Sequence, residues 1–201
     1  MSRQVLSAEQ NMFRDLIVSV RDLYKALDSY ERWFEEQRIS QGLNIPKGLL
    51  SYEGQLPEPL KSRIRRIDEH RKDVLVKLDS AIGAGFILLV NRYYPDRQDA
   101  QVHPNFALTV EVASDDLKAL RQHFAYALLV IDETSKVYRH KDLIKVFMKD
   151  PAREDTFALA KSALAGGLSR FHRLSHDTPD VFNDLFTPTQ QTDIDRFVTD
   201  R

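Results

Sequence analysis

From Phe13, the residues Leu16, Val20, Leu23, Leu27, Tyr30 and Phe34 follow in alternating steps of four and three. Held for about three heptads, this spacing puts one apolar stripe along one side of an α-helix and obliges that helix to find a partner. Ile17 and Tyr24 widen the stripe beyond a two-stranded seam, so a bundle is expected. Ser7 and Gln10, just ahead of it, have the S-x-x-Q form of a capping box, in which each side chain satisfies a free amide of the other residue.

A second run passes through Leu60, Ile64, Ile67, Val74, Leu78 and Ala81, with Arg71 its one polar intrusion. It is expected to continue through the apolar segment Ala81 to Val90 until Pro95 stops it. That segment is too short to cross a bilayer and suits a buried helix. Gly83 and Gly85 each cost about 1 kcal/mol of helix propensity and make sense where a neighbouring helix comes close. The two runs predict a long antiparallel helical hairpin. Between them, residues 39–59 carry Gly42, Pro46, Gly48, Gly54, Pro57 and Pro59, which predicts a long exposed loop.

Tyr93 to His103 is expected to be loop. Phe106, Leu108, Val110 and Val112 alternate with less apolar residues, the pattern of an extended segment or a helix start. Ser114-Asp115-Asp116 has the composition of a cap for a third helix carrying Leu117, Leu120, Phe124, Leu128 and Ile131. This helix breaks near Thr134-Ser135 or runs on towards Phe147. Asp150-Pro151 opens a fourth, carrying Phe157, Ala160, Leu164, Leu168, Phe171 and Leu174. Thr178-Pro179 and Thr187-Pro188 open two short terminal helices within 178–201. The predicted fold class is all-α: one helical domain over 1–201, a bundle built on the long hairpin with additional C-terminal helices.

The chemistry is bounded mostly by what is missing. With no cysteine there are no disulfides, thiolate metal sites or cysteine nucleophiles. A net charge of −1 provides no overall pull towards nucleic acid or anionic lipid. No secretory leader precedes the first helix, so a cytoplasmic protein without membrane contact is expected. Gly83-Ala-Gly85 lacks the lysine and Ser/Thr of a phosphate-binding loop, and Gly167-Leu-Ser169-Arg-Phe171 lacks the second glycine of a nucleophile elbow. His172 and His176 would share a helix face, and Asp177 would add an oxygen, but no third distant ligand is evident; no metal and no cofactor are expected.

Two stretches are locally basic. The first holds Lys61, Arg63, Arg65, Arg66, Arg71 and Lys72 against Asp68 and Glu69; the second holds Lys136, Arg139, Lys141, Lys145 and Lys149 against Asp142. Gathered on one face, such residues neutralise phosphates; spread around amphipathic helices, they are ordinary solvated surface. The segment from His123 to Lys136, HFAYALLVIDETSK, resembles the helix of HEPN-type abortive-infection proteins, in which an apolar run meets an acidic pair and a small-residue–lysine step. The resemblance implies a helical fold. It also implies metal-independent ribonuclease activity from an arginine and a histidine four to six residues apart. Arg170 with His176, or alternatively Arg65 with His70, would then hold the scissile phosphate and assist proton transfer.

Two roles follow. The first is a non-catalytic interaction protein that uses helix faces to bind a protein partner or a second copy of itself. The competing role is an RNA-cleaving or RNA-binding helical protein working through one basic cluster and one Arg/His pair. Geometry separates them: a nuclease brings its arginine and histidine into one cleft, and a scaffold leaves them apart.

Overall fold

The computed structural model describes residues 6–41, 58–94, 104–139, 156–182 and 185–199. These residues form six helices and no strand: α1 (Ala8–Gln41), α2 (Glu58–Tyr93), α3 (Pro104–Arg139), α4 (Thr156–Asp177), α5 (Pro179–Phe182) and α6 (Pro188–Thr199). The capping box forms as expected, with the Gln10 amide donating to Ser7 Oγ at 3.1 Å and the Ser7 amide donating to Gln10 Oε1 at 2.9 Å. Thr187 and Gln190 repeat the device at the start of α6.

The first four helices make an up-down-up-down bundle, and cross-helix pairs show each neighbour to be antiparallel. Ser19 on α1 meets Asp73 on α2, while Trp33, further along α1, meets Arg63. Arg71 on α2 reaches Asp132 on α3, and Asp79 reaches Arg121. Phe13 on α1 packs on Phe171 of α4, and Tyr30 on Phe157. Each apolar stripe turns inward because its residues recur with the helical period. Phe13 through Tyr30 of the first stripe are buried and Phe34 is partly buried; the stripes of α2, α3 and α4 are buried throughout. Burying one such leucine or phenylalanine side chain contributes about 1.5–3 kcal/mol, so four long stripes supply most of the driving force. The predicted all-α bundle and its α1/α2 hairpin are thus present.

Close approach is greatest between α3 and α4. A methyl group on Gly167 would lie 2.6 Å from Cδ1 of the buried Phe124 ring, and one on Gly166 would lie 3.0 Å from the His123 ring. Gly85 likewise faces Leu117 and Phe13 closely, as expected for that position, whereas Gly83 has nothing within 4 Å. The last two helices close one side. Val181 and Phe182 of α5 are buried, and α6 lies against α1 and α4 through Phe197, stacked on Tyr24 at 4.2 Å, and through Asp193, bound by Lys25.

Several expectations are corrected. Residues 39–41, 58–59 and Tyr93 are helical rather than loop. Of the two readings of Phe106 to Val112, the helix start holds, because α3 begins at Pro104. Leu108 and Val112 are exposed, so their alternation does not mark a buried strand face, and a helix pairs its own backbone groups without a second strand. Ser114-Asp115-Asp116 is not a cap: it lies mid-helix, with Asp116 turned inward. Nor does α3 break at Thr134-Ser135, where the Thr134 hydroxyl donates to the Val130 carbonyl at 2.7 Å within the same helix. The rest of the 39–59 loop, Pro95 to His103, Phe147 and Asp150-Pro151 lie outside the described residues.

The glycines separate packing from propensity. Gly167→Ala is expected to lose about 1–2 kcal/mol of stability through overpacking against Phe124, and Gly83→Ala to gain about 0.5–1 kcal/mol. Urea unfolding followed by circular dichroism measures both, and a Gly167→Ala variant as stable as wild type would contradict the close α3–α4 contact.

Candidate functional site

Among the described residues the most enclosed charged group is Asp116, whose side chain is 2% exposed. It lies on the inward stripe of α3, three residues after Ala113 and four before Leu120, so helix formation carries the carboxylate into the α3/α4 contact. Arg170 and Arg173, one turn apart on α4, meet it there. Arg173 donates from Nε to Oδ2 at 2.8 Å and from Nη2 to Oδ1, a fork-on-carboxylate arrangement, and Arg170 Nη1 lies 3.5 Å from Oδ1. The carboxylate in turn raises the pKa of the Arg173 guanidinium further above its usual value.

Neither Arg/His pair converges. His176 is exposed, with Nδ1 3.1 Å from Asp177 on its own helix, while Arg170 faces Asp116 on α3. Arg65 is exposed, 4.0 Å from Glu69, and His70 is partly buried. The divergence is built into the helices. At 3.6 residues per turn, five residues turn the chain by about 140° from one side and six by about 120° from the other, so both pairs are splayed. His172 Nδ1 lies 3.5 Å from Asp195, away from the His176–Asp177 contact. Among the described residues no three His, Asp or Glu side chains are grouped to hold a metal ion, and no helix is long and apolar enough to cross a membrane.

Among the described residues of the basic stretches, most cations are tied to carboxylates or to neighbouring groups. Lys61 lies 3.9 Å from Glu58; Arg63 donates to the Pro59 carbonyl and sits 5.2 Å over the Trp33 ring; Arg65 and Arg66 face solvent. Arg71 is drawn inward instead, bridging Asp68 and Asp132 at 3.0 Å each, and Lys72 also binds Asp68. Lys136 is held by Asp132 at 2.7 Å and by Glu133 at 2.8 Å. These residues form a charge chain from Lys72 to Glu133 across the α2/α3 contact. The hydrogen bond from Lys136 holds the Asp132 carboxyl below the usual range, against the opposing effect of burial and with help from Arg71. Asp132 and Glu133 raise Lys136 in return. The Arg139 side chain and Lys141 lie outside the described residues.

A hollow of about 640 Å³ lies over α4, lined by Tyr24, Glu31, His123, Tyr126, Lys161 and Gly166 among others. Lys161 donates to Asp28 at 2.8 Å and to Glu31 at 2.6 Å, and these carboxylates raise its pKa despite the burial that pulls it down. With two carboxylates around one ammonium, this wall has no surplus positive charge for a phosphate.

Sequence inspection missed the Asp116 clamp and the charge chain, although a signal existed. An aspartate on a stripe of core residues requires a cation, and Asp116, like Asp68 beside Ile67, occupies such a place. The segment from His123 to Lys136 forms part of α3: Phe124, Ala127, Leu128 and Ile131 face the core, and the acidic pair holds Lys136. No family model matches the chain, and no curated protein or solved structure matches it.

Acid should expose the charge chain. A carboxyl with a depressed pKa stabilises the fold above the ordinary carboxylate range and loses that contribution as pH falls through its folded-state value. Asp132→Asn is therefore expected to lower Tm at pH 7, with the difference from wild type closing as pH falls below the ordinary carboxylate range. Thermal melts across that range measure it; a gap that persists in acid would mean the loss is not ionic.

Proposed function

We propose that this chain is a non-catalytic helical interaction protein, working in the cytoplasm and using a helix face to bind a protein partner or itself. The observation that carries this role is the bare apolar surface on α2 and α3, where Leu75, Val76 and Leu129 stand exposed in mid-helix. Large apolar side chains gathered on one surface lose their contact with water when a complementary surface covers them. The splayed Arg/His pairs add support, because general acid–base work on a phosphate ester needs both groups within hydrogen-bond reach of one substrate. Binding of RNA through the basic stretches is the competing role. It draws less support from a surface on which Arg71, Lys72 and Lys136 are already neutralised by carboxylates.

The test is incubation of the purified chain at micromolar concentration with labelled RNA at low salt, without metal, beside Arg170→Ala, His176→Ala and His70→Ala. The expected result is no cleavage and no salt-dependent binding. RNA cleavage by wild type that is abolished in one of the histidine variants would overturn the proposal in favour of a HEPN-like ribonuclease.

A further inference from the structure

The ion pairs Arg71–Asp132 and Arg121–Asp79 fix the register of α2 against α3 at two levels. Between those levels lie Leu75, Val76 and Leu129. Val76 is 81% exposed, Leu129 60% and Leu75 54%. They are three of the nine exposed large apolar residues among those described, gathered at one height of one face. The helical period puts Leu75 and Leu129 beside the groove between the helices and Val76 nearer the crest of α2. On the opposite side of the bundle, the α1/α4 surface is covered by the chain's own α6, through Phe197 on Tyr24 and the buried Ile194.

We propose that this α2/α3 face is the contact surface for a second copy of the chain, packed about a two-fold axis running along the groove. The inference names the partner in the interaction role proposed above and rests on that role. Charge selects this partner. Because α2 and α3 are antiparallel and the axis runs along them, each α2 lies over the second copy's α3 at the same height. Leu75 and Val76 then lie over Leu129 of the second copy. Above this apolar centre Lys72 opposes the second copy's Glu133, and below it Asp79 opposes Arg121, each pairing occurring twice. All four charged side chains are substantially exposed, so they are available at the rim. The surface is therefore complementary to itself: an apolar centre rimmed by opposite charges, with unlike signs meeting.

Sedimentation equilibrium of the full chain between about 1 and 100 μM tests this. A dimer is expected, and Val76→Asp with Leu129→Asp should raise its dissociation constant about tenfold or more. Circular dichroism of the variants checks that these surface changes leave the fold intact. Lys72→Glu and Glu133→Lys should each weaken the dimer, and the double exchange should recover it, since both partners are reversed together. A wild-type monomer throughout the range would overturn the inference, as would a dimer indifferent to the aspartates. If the chain is monomeric but binds a different protein through Val76 and Leu129, the second-copy proposal falls while the interaction role stands.

Discussion

The close approach of the Phe124 ring to Gly167 is the constraint to which the rest of the structure is fitted. A side chain at residue 167 would force α3 and α4 apart, and the separation would open the buried layer that includes Ala127, Leu128 and Leu168. With the glycine in place, α4 sits deep enough for Phe171 to meet Phe13 on α1 at 5.9 Å, and for Phe182 of α5 to meet Phe13 at 4.9 Å. One small residue thus lets the C-terminal helices share a core with the N-terminal hairpin.

Charge then sharpens what apolar burial leaves loose. Heptad stripes can slide by a turn and still bury leucine against leucine, but Asp116 has its arginines at only one register of α3 against α4, and Arg71 reaches Asp132 at only one register of α2 against α3. A shifted register leaves a buried carboxylate without its cation, which is far more costly than an imperfect apolar contact. These pairs account for residues otherwise open to a catalytic interpretation. Arg170 is engaged with Asp116, Arg71 with two aspartates and Lys136 with two carboxylates.

The two outer sides of the bundle are treated differently. Along α1 and α4 the chain lays its own last helix, using an aromatic stack and the Lys25–Asp193 pair. Along α2 and α3 it leaves leucine and valine in solvent, bracketed by the ion pairs that lock those helices together. This difference gives the proposed interaction role its location: the α2/α3 surface is apolar at its centre and charged at its edge.

The sequence by itself determined the helices and the faces they bury, because the apolar period is a local property of consecutive residues and each stripe is long. Phe13 to Phe34, Leu60 to Ala81, Leu117 to Ile131 and Phe157 to Leu174 were legible for that reason, as was the Ser7–Gln10 cap. From Phe106 to Val112 the alternation left an extended segment and a helix start both open, since period alone does not reveal that Leu108 and Val112 remain in solvent. Only the tertiary structure decided which carboxylate meets which cation. Asp116 and Arg173 lie 57 residues apart, and their meeting depends on how α3 and α4 pack. The same holds for the Arg/His pairs, whose members continuous helices turn to different sides. It holds too for the exposed α2/α3 surface, because the residues α6 covers and those it leaves bare are settled by packing between helices distant in the chain.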